Sequence, residues 1–103
     1  MKISELINGV EEVSKYYAEN HSIERSDEWF MLKLTEEVGE LTQSFLKMKG
    51  QARTKGKNSD ELRKDFESEV ADVLGQTLLL ANNHDIDLEK IMKQKWLSWL
   101  EKK

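Results

Sequence analysis

The sequence predicts an all-α chain of four helices, the central two folded into an antiparallel hairpin, assembling into an oligomeric helical bundle. Apolar residues recur three and four apart in four separate segments, the period of an amphipathic helix. No segment alternates apolar and polar residues as a half-buried strand would. The chain has no proline and is 35% charged, a composition that suits long helices with solvated faces.

Each element has its own local signals. Ile3, Ile7, Val10, Val13 and Tyr17 predict a first helix over residues 3–19. The connector "NHSIERSDE" follows, with Ser26 as N-cap and Asp27 and Glu28 in the first turn of the second helix. That helix carries Leu34, Val38, Leu41, Phe45 and Met48 and ends near Gly50. The connector "GQARTKGKN" interrupts the pattern with two glycines. Asn58 with Glu61 forms a capping box for the third helix, striped by Leu62, Phe66, Val70, Val73, Thr77 and Leu80. After "NNHDID", Asp87 caps a fourth helix bearing Leu88, Ile91, Met92 and Trp99.

The 103 residues are expected to form one domain, 1–103. The absence of cysteine excludes a disulfide framework and a thiolate metal site. No apolar run approaches the length of a membrane span, so no membrane partner is expected and the cytoplasm is the expected compartment. A net charge of −4 argues against general affinity for nucleic acid. "VADVLGQTLLLA" is apolar on nearly every side and must be covered on every side. At least a dimer is expected, with Leu74 and Leu78 buried between subunits.

"LTEEVGEL", residues 34–41, sets three glutamates and a glycine in the second helix, and each choice costs helix stability. Advancing roughly 100° per residue puts Glu37 and Glu40 on one flank of the Leu34 stripe. Glu69 and Asp72 take the matching flank of the third helix. In an antiparallel hairpin these flanks meet along one edge. The two pairs also lie equally far in sequence from the middle of the connector, so they face each other at one height. Clustered carboxylates raise one another's pKa unless a cation neutralises them. All-oxygen donors favour Mg²⁺, with Mn²⁺ as a substitute. No EF-hand loop is present, and no histidine stands three residues after either glutamate, as di-iron bundles require. Lys47, Lys49, Arg53, Lys55 and Lys57, with no acid among residues 47–57, make a patch attractive to a phosphorylated ligand. Arg53 and Lys55 are its candidate contacts.

These residues carry a family resemblance. "EEVGE" at 36–40, "EVAD" at 69–72 and "ANNHDIDLEK" at 81–90 resemble the MazG-like nucleoside triphosphate pyrophosphohydrolases, over about residues 29–95. The resemblance implies an all-α enzyme hydrolysing (deoxy)nucleoside triphosphates to monophosphate and pyrophosphate, a house-cleaning of the nucleotide pool. It implies Mg²⁺ bound by Glu37, Glu40, Glu69 and Asp72, and assembly as dimers or tetramers. It also places a substrate lysine at Lys95, while Trp99 stands where many members have a second contact, an asparagine. Glu40 or Glu36 is the candidate general base. Trp29 and Phe30 are candidates to stack on a base or to fill the core, and Asn82 or Asn83 to end the third helix or orient substrate. His21 and His84 flank helix ends, and Gly39 and Gly75 are expected at helix packing contacts. The rival reading is a non-enzymatic helical oligomerisation module, or a regulator that binds a nucleotide.

Overall fold

A computed structural model describes residues 1–102. Four α-helices follow one another: α1 (Ile3–Asn20), α2 (Asp27–Met48), α3 (Ser59–Asn83) and α4 (Leu88–Lys95). A 3₁₀ segment, Leu97–Lys102, closes the chain, and no strand occurs among the described residues. The class is all-α, as expected.

The starts of α2, α3 and α4 are set by the side chains that the sequence marks. Ser26 Oγ accepts a hydrogen bond from the Trp29 N–H at 3.1 Å, and Asp87 Oδ1 accepts one from the Lys90 N–H at 3.1 Å. Asn58 Oδ1 accepts from the Glu61 N–H at 2.9 Å, while Glu61 Oε1 accepts from the Asn58 N–H at 3.1 Å, completing the capping box. Each bond satisfies a first-turn N–H that has no partner inside its helix.

The ends of α1, α2 and α3 share one closure. After α2, Gln51 N–H donates to the Leu46 carbonyl and Gly50 N–H to the Lys47 carbonyl, around a left-handed Gly50 with φ of 75°. Ser22 and Asp85 take the same left-handed place after α1 and α3, with φ of 52° and 53°. This pattern turns the chain sharply without stranding the last carbonyls.

α2 and α3 form the main packing pair, and α1 lies on α3. Three contacts tie α2 to α3 along its length. Phe45 meets Phe66 with ring centroids 5.8 Å apart, Glu37 and Glu40 meet Glu69, and Asn83 Nδ2 donates to Asp27 Oδ1 at 2.8 Å. The core collects where α1, the end of α3 and the start of α2 converge, around Ala18, Phe30, Leu78, Leu79 and Ala81, and Leu62 is buried apart from it near the start of α3. Arg25 braces this end: its guanidinium donates to Glu11 and to Ser14 Oγ and lies over the Phe30 ring. Asn82 Nδ2 donates to the other Glu11 oxygen at 2.8 Å, so one carboxylate joins α1, the connector and α3. Phe30, only 1% exposed, is core.

Three expectations are corrected. Leu78 is 2% exposed within the protomer, so it has no surface left to bury between subunits. Helix α4 stops at Lys95 and Trp99 lies in the 3₁₀ segment. An eight-residue helix is marginal alone, and α4 packs chiefly on the segment that follows it. A Cβ built at Gly39 or Gly75 meets nothing within 4 Å, so neither glycine serves close helix packing inside the protomer.

Asn58→Ala removes the acceptor of the capping box and should lower unfolding stability by about 1 kcal/mol. Urea denaturation compares the variant with the parent, and an unchanged midpoint would show the box to be idle.

Candidate metal centre

The E-x-x-E spacing on α2 and the E-x-x-D spacing on α3 each put two acids on one helix flank. Packing of the two helices then brings Glu37, Glu40 and Glu69 together, with one carboxylate oxygen from each within 4.8 Å of the others. Glu37 and Glu69 are half-buried and Glu40 is exposed, so the cluster opens toward water on one side.

Its electrostatics are those of crowded like charges. Burial pushes the Glu37 carboxyl up, the Glu40 charge and a proton shared with Glu40 add to it, and Asp72 and Glu69 add more, to about 7. Burial also raises Glu69, reinforced by the Glu40 and Asp72 charges and partly opposed by its contact with Glu37. Glu37 Oε2 and Glu69 Oε2 are buried without any hydrogen-bond partner. A buried acceptor left unpaired is costly, and a carboxylate more so than a neutral group. A divalent cation is the partner that suits two orphaned carboxylate oxygens with a third beside them. The donor set fits a hard metal ion.

Asp72 is exposed and stands outside the close triad, yet its charge acts on both Glu37 and Glu69. Glu36 points elsewhere: Lys33 Nζ donates to its Oε1 at 2.9 Å, so it is a salt-bridged surface acid.

A groove of about 650 Å³ runs along the helices beside the cluster. Its lining includes Trp29, Lys33 and Glu37 of α2, Asp72 and Gln76 of α3, and Tyr17 of α1. At 1.5 Å per residue, Lys33 lies roughly 6 Å along α2 from Glu37, and Trp29 roughly 12 Å. The groove thus runs from acids, past a cation and an amide, to aromatic rings. Lys33 and Gln76 escaped the sequence reading, although each stands four residues from an acid already singled out. The Glu36 hydrogen bond raises the Lys33 pKa against the opposing effect of burial, and Glu36, Tyr17 and Glu37 add to the rise, so its ammonium stays charged.

The other candidate contacts lie outside the groove lining. Arg53 and Lys55 are exposed in the connector beyond α2, Lys95 is exposed at the end of α4, and Asn83 is held by Asp27. Both histidines occupy helix ends. His21 Nδ1 lies 3.0 Å from the Tyr17 carbonyl with its ring stacked on Tyr17, and His84 is the C-cap of α3.

The raised carboxyls make metal-free stability depend on pH. The native state holds the Glu37 proton more tightly than the unfolded chain, at about 7 against an ordinary 4.5. The stability that this carboxyl contributes is therefore fullest below 4.5 and is lost as pH rises through about 7. Thermal unfolding in chelator should show the midpoint falling across that window. Glu37→Gln, or excess Mg²⁺, should flatten the fall, and a flat profile for the parent would remove the cluster's mutual repulsion.

A family model described as the MazG nucleotide pyrophosphohydrolase domain matches residues 25–96. Comparison with curated proteins and with solved structures found no match. The matched region spans more than half of the chain and contains both acidic pairs, the groove residues of α2 and α3, and the whole of α4. The chain belongs to the MazG nucleotide pyrophosphohydrolase family.

Proposed function

We propose that the protein hydrolyses nucleoside or deoxynucleoside triphosphates to the monophosphate and pyrophosphate, as a house-cleaning enzyme of the cytoplasmic nucleotide pool. The observation that carries this reading is the pair of orphaned buried carboxylate oxygens, on Glu37 and Glu69, beside a groove of nucleotide size. Family membership supplies the reaction class.

Glu37, Glu40, Glu69 and Asp72 would hold Mg²⁺, or Mn²⁺ in its place. When bound, the ion neutralises phosphate charge and lowers the pKa of a coordinated water. Glu40 is the preferred general base, because its carboxylate is exposed at the open side of the cluster while Glu36 is engaged by Lys33. It orients a water for in-line attack at the α-phosphorus and takes the proton released. The new P–O bond stays with the monophosphate, and the bridging oxygen leaves with pyrophosphate. Lys33, the next turn along α2, offsets phosphate charge at the mouth of the site. Trp29 offers a ring for stacking on the base, an interaction worth about 1–3 kcal/mol.

The ordering of contacts between α2 and α3, late residues of one against early residues of the other, supports the antiparallel hairpin on which this site depends. A homo-oligomer completes the reading. Val38, Phe45, Val70 and Leu74 are 42–51% exposed on the paired helices. The radius of gyration is 16.5 Å, against about 13 Å for a compact chain of this length. A protomer so open, with so small a core, is suited to burying these faces against copies of itself. Lys95, Arg53, Lys55 and Asn83 would contact substrate only if assembly or closure carries them to a groove.

Pyrophosphate release from a panel of triphosphates with Mg²⁺ tests the activity, and its absence would favour the non-enzymatic module. Glu40→Gln and Asp72→Asn should each cut turnover at least about a hundredfold while the helical signal holds. Full activity in both would sink the metal assignment. Lys33→Met should lower kcat/KM more than Lys95→Met does, and the reverse order would return the phosphate contact to the last helix. Sedimentation at low micromolar concentration should show a dimer or larger species, and a stable folded monomer would contradict the assembly.

A further inference from the structure

Gln76 is an amide where the fold has no structural use for one. It lies on α3 one turn beyond Asp72, and its side chain lines the groove. Its Oε1 is buried without a hydrogen-bond partner. Leucine or methionine there would keep the helix and remove the unmet acceptor. An unsatisfied amide in the wall of a ligand groove is accounted for when the ligand brings the missing donor.

The chemistry of the groove narrows what that donor is. A phosphate oxygen carries no hydrogen for Oε1, and the phosphates belong at the acidic end. The lining around Gln76 is apolar and aromatic, with Leu6 and Val10 of α1, Leu79 of α3, and the Trp29 and Tyr17 rings. Such walls suit the flat faces of a heterocycle and leave its polar edge to be met by a side chain. A carboxamide sets an acceptor and a donor side by side, which is the pattern a nucleobase edge presents in complement. We propose that Gln76 is the specificity-determining residue of the groove, its carboxamide reading the hydrogen-bonding edge of the nucleobase.

The inference rests on the triphosphate reading above and deepens it. Relative rates for the common ribo- and deoxynucleoside triphosphates are measured first for the parent with Mg²⁺, then for Gln76→Met, which keeps the length and removes the amide. Loss of a hydrogen bond at a site built to make it should raise KM for the preferred triphosphate about 10- to 100-fold. The value of kcat should change less than about threefold, because the amide would touch the base and not the scissile bond, which belongs at the carboxylates one turn away. The ranking of bases should collapse, while the melting temperature holds or rises. Gln76→Asn, which retains the carboxamide but shortens its reach, should fall between the two.

A second arm needs no variant. An unsubstituted purine triphosphate, or a 2-pyrimidinone triphosphate, lacks the exocyclic group at the edge. The parent should handle the analogue of its preferred class as weakly as Gln76→Met handles the natural base. A preserved base ranking in Gln76→Met overturns the assignment and leaves the triphosphatase reading intact. A shift confined to the ribose-to-deoxyribose ratio overturns it too, because the amide would then read the sugar. A parent that releases no pyrophosphate from any member of the panel removes both readings together.

Discussion

Two like-charged glutamates held together half-buried are the constraint on which the rest of this structure depends. Glu37 and Glu69 come from different helices and each leaves a buried oxygen without a partner. A chain selected for stability alone would set apolar or small residues there, because like charges in a low-dielectric cluster repel strongly. The penalties within "LTEEVGEL" have the same origin. Acids three apart on α2 and three apart on α3 are tolerated locally so that the packed pair presents one focus of negative charge. The cost would be recovered by a cation that binds the folded state and not the unfolded one.

Such a focus requires a fixed register between α2 and α3, since sliding one helix by a single turn would separate Glu37 from Glu69 by roughly 5 Å. Several devices set that register. The capping box at Asn58 fixes where α3 begins, and the left-handed Gly50 fixes where α2 ends. Phe45 against Phe66 holds one end of the seam, and Asn83 on Asp27 holds the other. The carboxylates lie between these two clamps. α1 then supplies the third wall of the groove, itself held in place by Glu11 with Arg25 and Asn82.

Much of this was legible in the sequence because it is periodic or stereotyped. Ser26, Asn58 and Asp87 announce helix starts by residue type, and the acidic pairs announce themselves by phase once two helices are placed. Lys33 and Gln76 were not legible in that way. A lone lysine four residues before a glutamate is the commonest sight on a solvated helix, and only the position of α1 shows that this one lines a groove. Arg53 and Lys55 drew attention as part of a dense run of positive charge, and that run lies in a connector outside the groove lining of the protomer. Leu78 and the two mid-helix glycines show the remaining limit. An apolar run tells that a helix is covered on several sides, but not which sides its own protomer covers, and a helical glycine marks open space as readily as close contact.

Lys33 also explains why the cluster calls for a metal ion rather than a protein cation. It is the cationic side chain of the groove lining nearest the acids, and its ammonium bonds to Glu36, an acid outside the triad. That bond keeps the charge close enough to be felt by Glu37 and yet leaves the buried oxygens of Glu37 and Glu69 unpaired. Were a lysine to enter the cluster itself, it would satisfy one oxygen, fill the cavity with a flexible stem and leave no Lewis-acidic position. Holding Lys33 one turn away separates two tasks that a single cation would confuse. On the proposed reading the carboxylates would stay open to an ion, and a fixed positive charge would remain beside them for an anionic substrate. The division costs little, because Glu36 is half exposed and the Lys33 pair is a surface one in energetic terms. Charge is therefore arranged along α2 in the order a nucleotide would meet it, with the aromatic ring first, the ammonium one turn on, and the acids one turn beyond.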